Sequence, residues 1–129
     1  QSLDLTKIKP LGSETWAGAV DNLGGDILAW LASTMKVGGT LASIGLAASH
    51  SLNTTVMPFI LRGVSLLGID SVNCPMAQRS EVWRRLGTDM KPQGLSAMTR
   101  HIKFDDLPNA FAAYVDGNAR GRVVVDIAQ

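Results

Sequence analysis

None of the 13 glycines in this sequence forms a Gly-x-Gly pair, the spacing found in turns that cradle the phosphates of a nucleotide. The sequence also contains a single cysteine, Cys74, and only two histidines, His50 and His101. One cysteine excludes an intrachain disulfide, and these three side chains cannot supply the close-spaced ligands of a zinc site. A lone thiol is typical of proteins in a reducing compartment, so we expect a cytoplasmic location.

Charge of one sign and long apolar runs are also scarce. Twelve basic and eleven acidic side chains give a formal charge of +1, and no run of like charge occurs. This balance argues against a basic nucleic-acid-binding face. No stretch approaches the ~18 apolar residues of a membrane span. We therefore expect neither nucleic acid nor membrane as a partner. The chain opens on Gln1 without the features of a signal peptide, so we expect a processed or excised piece.

The most informative stretch is residues 38–47, GGTLASIGLA. A glycine turn followed by a short apolar run is typical of a strand buried in a parallel sheet, here predicted over residues 40–46. Ligands of open α/β sheets bind beyond the carboxyl ends of such strands. Gly45 would let a ligand approach the backbone, since glycine has no Cβ. The alternative is a strand end that needs glycine only for packing.

Strands alternate with helices along the chain, which predicts a parallel α/β fold. Punctuation by Pro92 and Gly94 indicates a crossing between two structural units. The predicted strands cover residues 16–21, 40–46, 64–70, 99–104 and 121–127, and the predicted helices cover residues 27–35, 56–62, 77–90 and a segment after Asp105.

Individual residues predict where these helices begin and end and which of their faces are buried. Asp26 is expected to cap the first helix, and the glycines at 38 and 39 are expected to end it. Asp21, at the end of the first predicted strand, is expected to organise the turn that follows. Two later helices are expected to bury apolar faces, made of Val82, Trp83, Leu86 and Met90 in one and of Leu107, Phe111, Tyr114 and Val115 in the other.

Four segments together resemble the medium-chain dehydrogenase/reductase superfamily. They are VDNLGG at residues 20–25, GGTLASIGLA at 38–47, LNTTVMPFILRGV at 52–64 with LGIDSV at 67–72, and GRVVV at 121–125. The third segment resembles the zinc-independent acryloyl-CoA reductase branch, often named quinone oxidoreductase. The resemblance extends over about residues 16–127.

This resemblance implies the carboxyl-terminal fragment of an NADPH-dependent reductase. Residues 1–92 would be the later half of a Rossmann-type parallel sheet with flanking helices. Residues 93–129 would be a strand-helix-strand segment that returns to the catalytic domain. The implied reaction is hydride transfer to an α,β-unsaturated thioester, acryloyl-CoA, or to a quinone-like acceptor. The residues that choose NADPH over NADH would lie upstream. The alternative is a stand-alone Rossmann-like binding or assembly module without catalytic activity.

The resemblance also implies cofactor-binding positions, each with an ordinary structural alternative. Gly45, Leu46 and Ala47 would meet the nicotinamide end of the cofactor, and a side chain at 45 would displace the ring while leaving the fold intact. Ile60 would pack on the cofactor or fill the core, and Ser71 would donate to a cofactor amide or stabilise its turn.

A further position lies near the end of the chain, where an asparagine of the family reaches the cofactor. That asparagine corresponds to Asn118, although the alignment leaves Gly117 open. No side chain of this sequence is assigned a catalytic role, and no metal is expected. Residues 64–70 would form the outer strand of the sheet. That strand is apolar and lacks Pro and Lys, so we expect it to pair with a second copy in a homodimer.

Overall fold

The protein alternates strands and helices in a computed structural model that describes residues 5–127. Two short 3-10 turns, Ser96–Met98 and Phe104–Asp106, complete the regular structure. The chain divides into two compact units, Gln1–Cys74 and Pro75–Gln129. The elements in chain order are β1 (Trp16–Asp21), α1 (Gly25–Thr34), β2 (Met35–Ser43), α2 (Met57–Arg62), β3 (Ser65–Gly68), α3 (Met76–Gly87), β4 (Thr99–Lys103), α4 (Leu107–Val115) and β5 (Arg122–Asp126). The predicted α/β class with parallel strands is confirmed.

The first unit is a parallel sheet in the order β1-β2-β3. Ala19, Leu41 and Leu66 lie in register on one face of that sheet. Both helices of the unit pack on this face, because the same apolar cluster contains side chains of α1 and α2. The fully buried members of that cluster are Leu28, Ala32, Met35, Leu41 and Val64. Burying one continuous apolar face is what holds the three strand ends at a common edge.

Two predicted details of α1 are wrong. The helix ends at Thr34, and the completely buried Met35 already begins β2, so the glycines at 38 and 39 lie inside the strand instead of ending the helix. They interrupt its pairing with β1, whose register shifts between Trp16 and Gly18. Asp26 does not cap the helix, because the N-cap position is Gly24 and no side chain caps it. The spacing of Met35 fits a helix, but the structure places this residue in β2, where it is completely buried.

The side chain of Arg62, the last residue of α2, forms a clamp at the carboxyl end of α1. Its Nη1 donates to the carbonyl oxygens of Ser33 at 2.9 Å and Met35 at 3.0 Å, and its Nη2 donates to that of Gly12 at 2.6 Å. Its Nε also lies 3.8 Å from a carboxylate oxygen of Glu14. The Ser33 carbonyl also accepts the backbone N–H of Gly12 at 2.8 Å, so the guanidinium adds a charged donor near the end of a helix, where cations are favoured.

The second unit pairs β4 and β5 as parallel strands, with α4 connecting them. This arrangement confirms the predicted strand-helix-strand segment. Ile102 and Ala110 are the only buried hydrophobic residues among residues 75–127.

The helices of this second unit do not bury the faces that the sequence predicted. No residue of α3 is buried, and Val82, Trp83, Leu86 and Met90 are exposed. In α4, Phe111, Tyr114 and Val115 are likewise exposed. The periodicity identified which residues share a face, but periodicity cannot show that anything packs against that face.

Along the chain, the boundary between the two compact units falls between Cys74 and Pro75. The sequence predicted that the Rossmann part ends at residue 92. Compactness does not assign α3 to one or the other domain of a longer protein. The boundary between residues 1–92 and 93–129 therefore stays a prediction.

Candidate functional site

The carboxyl ends of three parallel strands lie side by side in the first unit. Asp21, Ser43 and Gly68, the last residues of β1, β2 and β3, are in register with one another. Such an edge is where ligands of open α/β sheets bind, because the loops that leave the strands diverge there. The edge carries a shallow depression of about 470 Å³, lined by Ser43, Ile44, Gly45, Leu46, Gly68, Ile69 and Asp70.

The turn that leaves β1 is built around the Asp21 carboxylate. Its Oδ1 accepts hydrogen bonds from the backbone N–H groups of Leu23 at 3.2 Å and Gly24 at 3.1 Å, and its Oδ2 accepts from Gly24 at 3.0 Å. The Ser43 hydroxyl lies 3.5 Å from Oδ2, at the outer limit of a hydrogen bond. Asp21 is only 2% exposed. The prediction that Asp21 organises this turn is confirmed.

The same turn holds the loop that leaves β2. Ile44 donates to the Asp21 carbonyl at 2.9 Å, and Ala47 donates to the Asn22 carbonyl at 3.2 Å. The Leu23 carbonyl accepts hydrogen bonds from two further N–H groups of the loop, those of Ala48 at 2.9 Å and Ser49 at 3.1 Å. Residues 44–49 are therefore tied by backbone hydrogen bonds to the turn that Asp21 shapes.

Two residues of that loop keep their backbone groups open. Within the part of the chain that the structure describes, the N–H and C=O groups of Gly45 and Leu46 make no hydrogen bond. The side chain of Leu46 is exposed as well. Unpaired amide groups beside a depression can bind the amide or carboxamide of a ligand.

Gly45 has a packing role as well. A Cβ on this residue would lie 2.6 Å from the carbonyl oxygen of Asn22 and 3.0 Å from its Cα. Backbone atoms of the opposing turn cannot yield as the end of a flexible side chain would. The expectation that a side chain at 45 leaves the fold intact is therefore wrong. Whether a cofactor also needs this glycine stays a prediction.

The loop that leaves β3 is shaped by a second aspartate. Asp70 accepts hydrogen bonds from the N–H of Val72 at 3.1 Å, the N–H of Asn73 at 3.0 Å and the side-chain amide of Asn73 at 2.7 Å. The backbone N–H of Asn73, followed by its side-chain amide, lowers the pKa of Asp70. Ser71 lies inside this turn, is exposed, and donates its N–H to the Ile69 carbonyl at 3.1 Å.

The remaining predicted cofactor residues do not line the depression. Ala47 follows it in the loop, and Ile60 is an exposed residue of α2, so it does not fill the core. Asn118 follows α4 in the second unit, where its N–H donates to the Ala113 carbonyl at 2.8 Å, next to Gly117 at φ +69°. The roles of these residues stay predictions.

Among the described residues, the other titratable side chains assemble no second centre. His50 is exposed in the loop after β2, and His101 pairs across β4 and β5 with Asp126 at 3.2 Å. Among residues 5–127, no group of three or more His, Cys, Asp or Glu side chains could hold a metal ion. No helix in the same range is long and apolar enough to cross a membrane.

Sequence reasoning missed the residues that hold the site together. Asn22 and Leu23 act only through their backbone carbonyls, and Ser43 acts through a hydroxyl inside an apolar strand. Every residue has a backbone carbonyl, so the amino-acid type does not indicate a backbone contact. A serine in register with Asp21 was the one available signal, and it required knowledge of the strand register.

No family model matches the sequence. Acrylyl-CoA reductase AcuI of Ruegeria pomeroyi is 48% identical over 119 residues, covering 92% of this chain and 36% of that protein. YhfP of Bacillus subtilis, named as a quinone oxidoreductase, is 45% identical over 121 residues, covering 93% of this chain and 37% of that protein.

Solved structures agree with these similarities. Escherichia coli YhdH, whose crystal structure has bound NADPH, is 38% identical with a TM-score of 0.81, over 96% of this chain and 38% of that one. The crystal structure of YhfP has NAD bound, with 44% identity and a TM-score of 0.81, over 93% of this chain and 37% of that one.

The chain therefore spans a little more than a third of the length of the proteins it matches. Identity of this level together with a closely similar fold establishes common descent over the matched region. The comparisons confirm the predicted resemblance of this chain to the acryloyl-CoA reductase and quinone oxidoreductase branch of the medium-chain dehydrogenase/reductase superfamily.

Proposed function

We propose that this chain is the carboxyl-terminal part of an NADPH-dependent reductase. The observation that carries the proposal is the 48% identity with an acrylyl-CoA reductase over nearly the whole chain. The open backbone groups beside the depression at the carboxyl edge of the sheet support it, because that edge is where α/β folds bind nucleotides. The coverage of about a third of each relative supports the part of the proposal that concerns a longer protein.

The residues around the depression fit the nicotinamide end of such a cofactor. The backbone groups of Gly45 and Leu46 would bind its carboxamide, and Ala47 would continue that contact. Ile60, exposed on α2, would pack on the ring, and Ser71 would donate a hydrogen bond from the turn after β3. When bound, the cofactor supplies hydride, and the contribution of these residues is to fix which ring face points to the substrate.

Asn118, in the loop after α4, is proposed as a further residue that binds the cofactor. A carboxamide side chain can both donate and accept hydrogen bonds, which suits the polar groups of a dinucleotide. The preceding Gly117 has a positive φ, so the chain turns sharply at this point and leaves Asn118 in the loop after α4. Gly117 is the alternative position for this contact, so Asn118 is the residue to test first.

The substrate of the proposed enzyme is an α,β-unsaturated thioester, acryloyl-CoA, or a quinone-like acceptor. Hydride would reach the β carbon of the thioester and a proton would reach its α carbon. We assign the proton to no side chain of this chain, and we propose chemistry without zinc. A cytoplasmic location is part of the same proposal.

A stand-alone binding or assembly module is the second candidate. One observation favours it: no Gly-x-Gly turn occurs in the sequence, so the chain by itself offers no phosphate cradle of that type. In the reductase proposal, the upstream part of a longer protein supplies that turn.

We further propose a homodimer formed through residues 64–70. β3 lies at the edge of the sheet and is shorter than predicted, although Ile69 still donates its N–H to the Ser43 carbonyl at 2.9 Å. Leu67 is half exposed on this edge strand. An apolar edge strand is a template for pairing, and a second copy would extend the sheet across a two-fold axis.

The experiment for the main proposal uses the full-length protein that carries this sequence. Oxidation of NADPH is followed with acryloyl-CoA and, separately, with a quinone, and each assay is repeated with NADH. We expect turnover with NADPH and one of the two acceptors. Tight binding of NADPH without turnover of either acceptor would favour the module instead. Absence of NADPH binding by the full-length protein would contradict both the cofactor and the reductase.

A further inference from the structure

The Asp21 carboxylate is buried, and no cationic side chain among residues 5–127 forms an ion pair with it. Burial of a carboxylate is costly unless hydrogen bonds replace its hydration. Here the backbone N–H groups of Leu23 and Gly24 provide those bonds, and the turn leads directly into the amino end of α1, whose dipole favours a negative charge. Both carboxylate oxygens are used, because the Gly24 N–H lies 3.1 Å from Oδ1 and 3.0 Å from Oδ2.

The bonded turn is also the support of the loop after β2. Three consecutive carbonyls, those of Asp21, Asn22 and Leu23, accept the N–H groups that hold residues 44–49 in place. The direction of those carbonyls depends on the turn that the Asp21 side chain fixes. Gly24 has a φ of +69°, and a Cβ there would overlap the Ser49 carbonyl oxygen, so turn and loop are packed closely as well as bonded.

We propose that Asp21 is a positioning residue for the nicotinamide end of the cofactor. In this role Asp21 contacts neither cofactor nor substrate. It fixes the turn, the turn fixes the loop, and the loop presents the open backbone groups of Gly45 and Leu46. This inference rests on the proposed function, since it assigns a role within that same cofactor site.

Asparagine is the sharpest substitution at this position. Asp21→Asn keeps the size of the side chain and one oxygen, but it places an NH₂ group where Oδ2 accepts from Gly24. Two donors would then face each other at that atom, while Oδ1 still accepts from Leu23 and Gly24, so we expect the turn to shift without being lost. The shift passes to the carbonyls of Asn22 and Leu23, and hence to the loop.

The experiment compares two ligands on the full-length protein. NADPH reaches the loop through its nicotinamide, whereas 2′-phospho-ADP-ribose lacks that ring and binds only through the rest of the dinucleotide site. Calorimetry should show that Asp21→Asn weakens the binding of NADPH by about tenfold, equivalent to ~1.4 kcal/mol. The affinity for 2′-phospho-ADP-ribose should change by less than about twofold. Asp26→Asn, an exposed carboxylate in the first turn of α1, is the matched control and should change neither affinity.

The outcomes separate the inference from the function on which it rests. Equal weakening of both ligands by Asp21→Asn, or no weakening of either, would overturn the positioning role. A wild-type protein that binds neither ligand would overturn the proposed function and this role with it. Should Asp21→Asn fail to fold, Asp21→Ser keeps a hydroxyl oxygen that can accept more weakly from the same turn and should weaken the binding of NADPH alone by about two- to threefold, whereas no selective loss would overturn the role.

Discussion

The Nη1 atom of Arg62 lies 3.0 Å from the carbonyl oxygen of Met35, the residue at which the chain passes from α1 into β2. The same guanidinium reaches Ser33 and Gly12. One side chain of α2 thus closes the end of α1 and fastens the segment that leads into β1. The arrangement uses the planar fork of arginine, which can address several carbonyls at once.

Removal of this clamp should destabilise the protein. Arg62→Ala leaves three carbonyl oxygens without their charged donor, and Arg62 is largely buried, so we expect the free energy of unfolding to fall by about 2–4 kcal/mol. Arg62→Lys should recover part of the loss. Denaturant titration measures the effect. The control is Arg84→Ala on α3, whose ion pair with Glu81 is exposed and should contribute less than about 1 kcal/mol. Equal losses at both positions would contradict the clamp.

Substitution of Gly45 should lower stability before any effect on chemistry is considered. Gly45→Ala places a Cβ against the Asn22 backbone, and overpacking of this kind costs about 1–3 kcal/mol. Thermal unfolding provides the measurement. Gly68→Ala is the matched control for stability, because a Cβ at that strand end meets no atom within 4 Å. A Gly45→Ala protein as stable as the wild type would show that the turn after β1 can move away.

The Asp70 carboxyl should titrate below its ordinary value of 3.8. The folded-state pKa is depressed by the N–H and amide of Asn73, so the stabilisation is present above the unfolded-state pKa and is lost as the pH falls through the folded-state pKa. Carboxyl carbon shifts followed by NMR give the midpoint. Asn73→Ala removes the amide but keeps the backbone donor, so it should raise the midpoint only part of the way. A midpoint at or above the ordinary value would mean that the turn is open in solution.

A charge on the edge strand should separate the proposed dimer. Leu67→Lys would carry an ammonium group into the paired edge without a partner, at a desolvation cost that favours monomers. Leu61→Lys on α2 is the matched control, since both leucines are exposed to a similar extent, 50% and 59%. Light scattering of the full-length protein distinguishes the masses. If both variants keep the mass of a dimer, the association surface lies elsewhere.

The 129-residue chain alone should bind NADPH poorly. It carries the proposed nicotinamide contacts but no Gly-x-Gly turn for the pyrophosphate, whose binding to backbone N–H groups and a helix dipole is a large part of dinucleotide affinity. Calorimetry should give a Kd well above about 1 μM and much weaker binding than that of the longer protein. Micromolar or tighter binding by the isolated chain would refute this expectation.

Local signals predicted some elements and could not predict others. β1 has the predicted bounds, because an apolar run between a loop and an aspartate leaves little choice. The start of β2 was placed too late, since Met35 satisfies helical spacing as well as burial in a strand. The carbonyls held by Arg62 lie up to 50 positions away in sequence, and no local pattern reports such a contact. The depression depends in the same way on the register of three separate strands.

Ile102 and Ala110 are the only buried hydrophobic residues among residues 75–127. A segment with so little buried apolar surface is only marginally stable by itself, so a small loss of stability is a large fraction of what it has. In a cell, amino-acid changes in this segment would register first as altered abundance, through the balance between chaperones and proteases. Apart from changes at the proposed cofactor position Asn118, such substitutions would lower the number of folded molecules more than they alter the properties of each one.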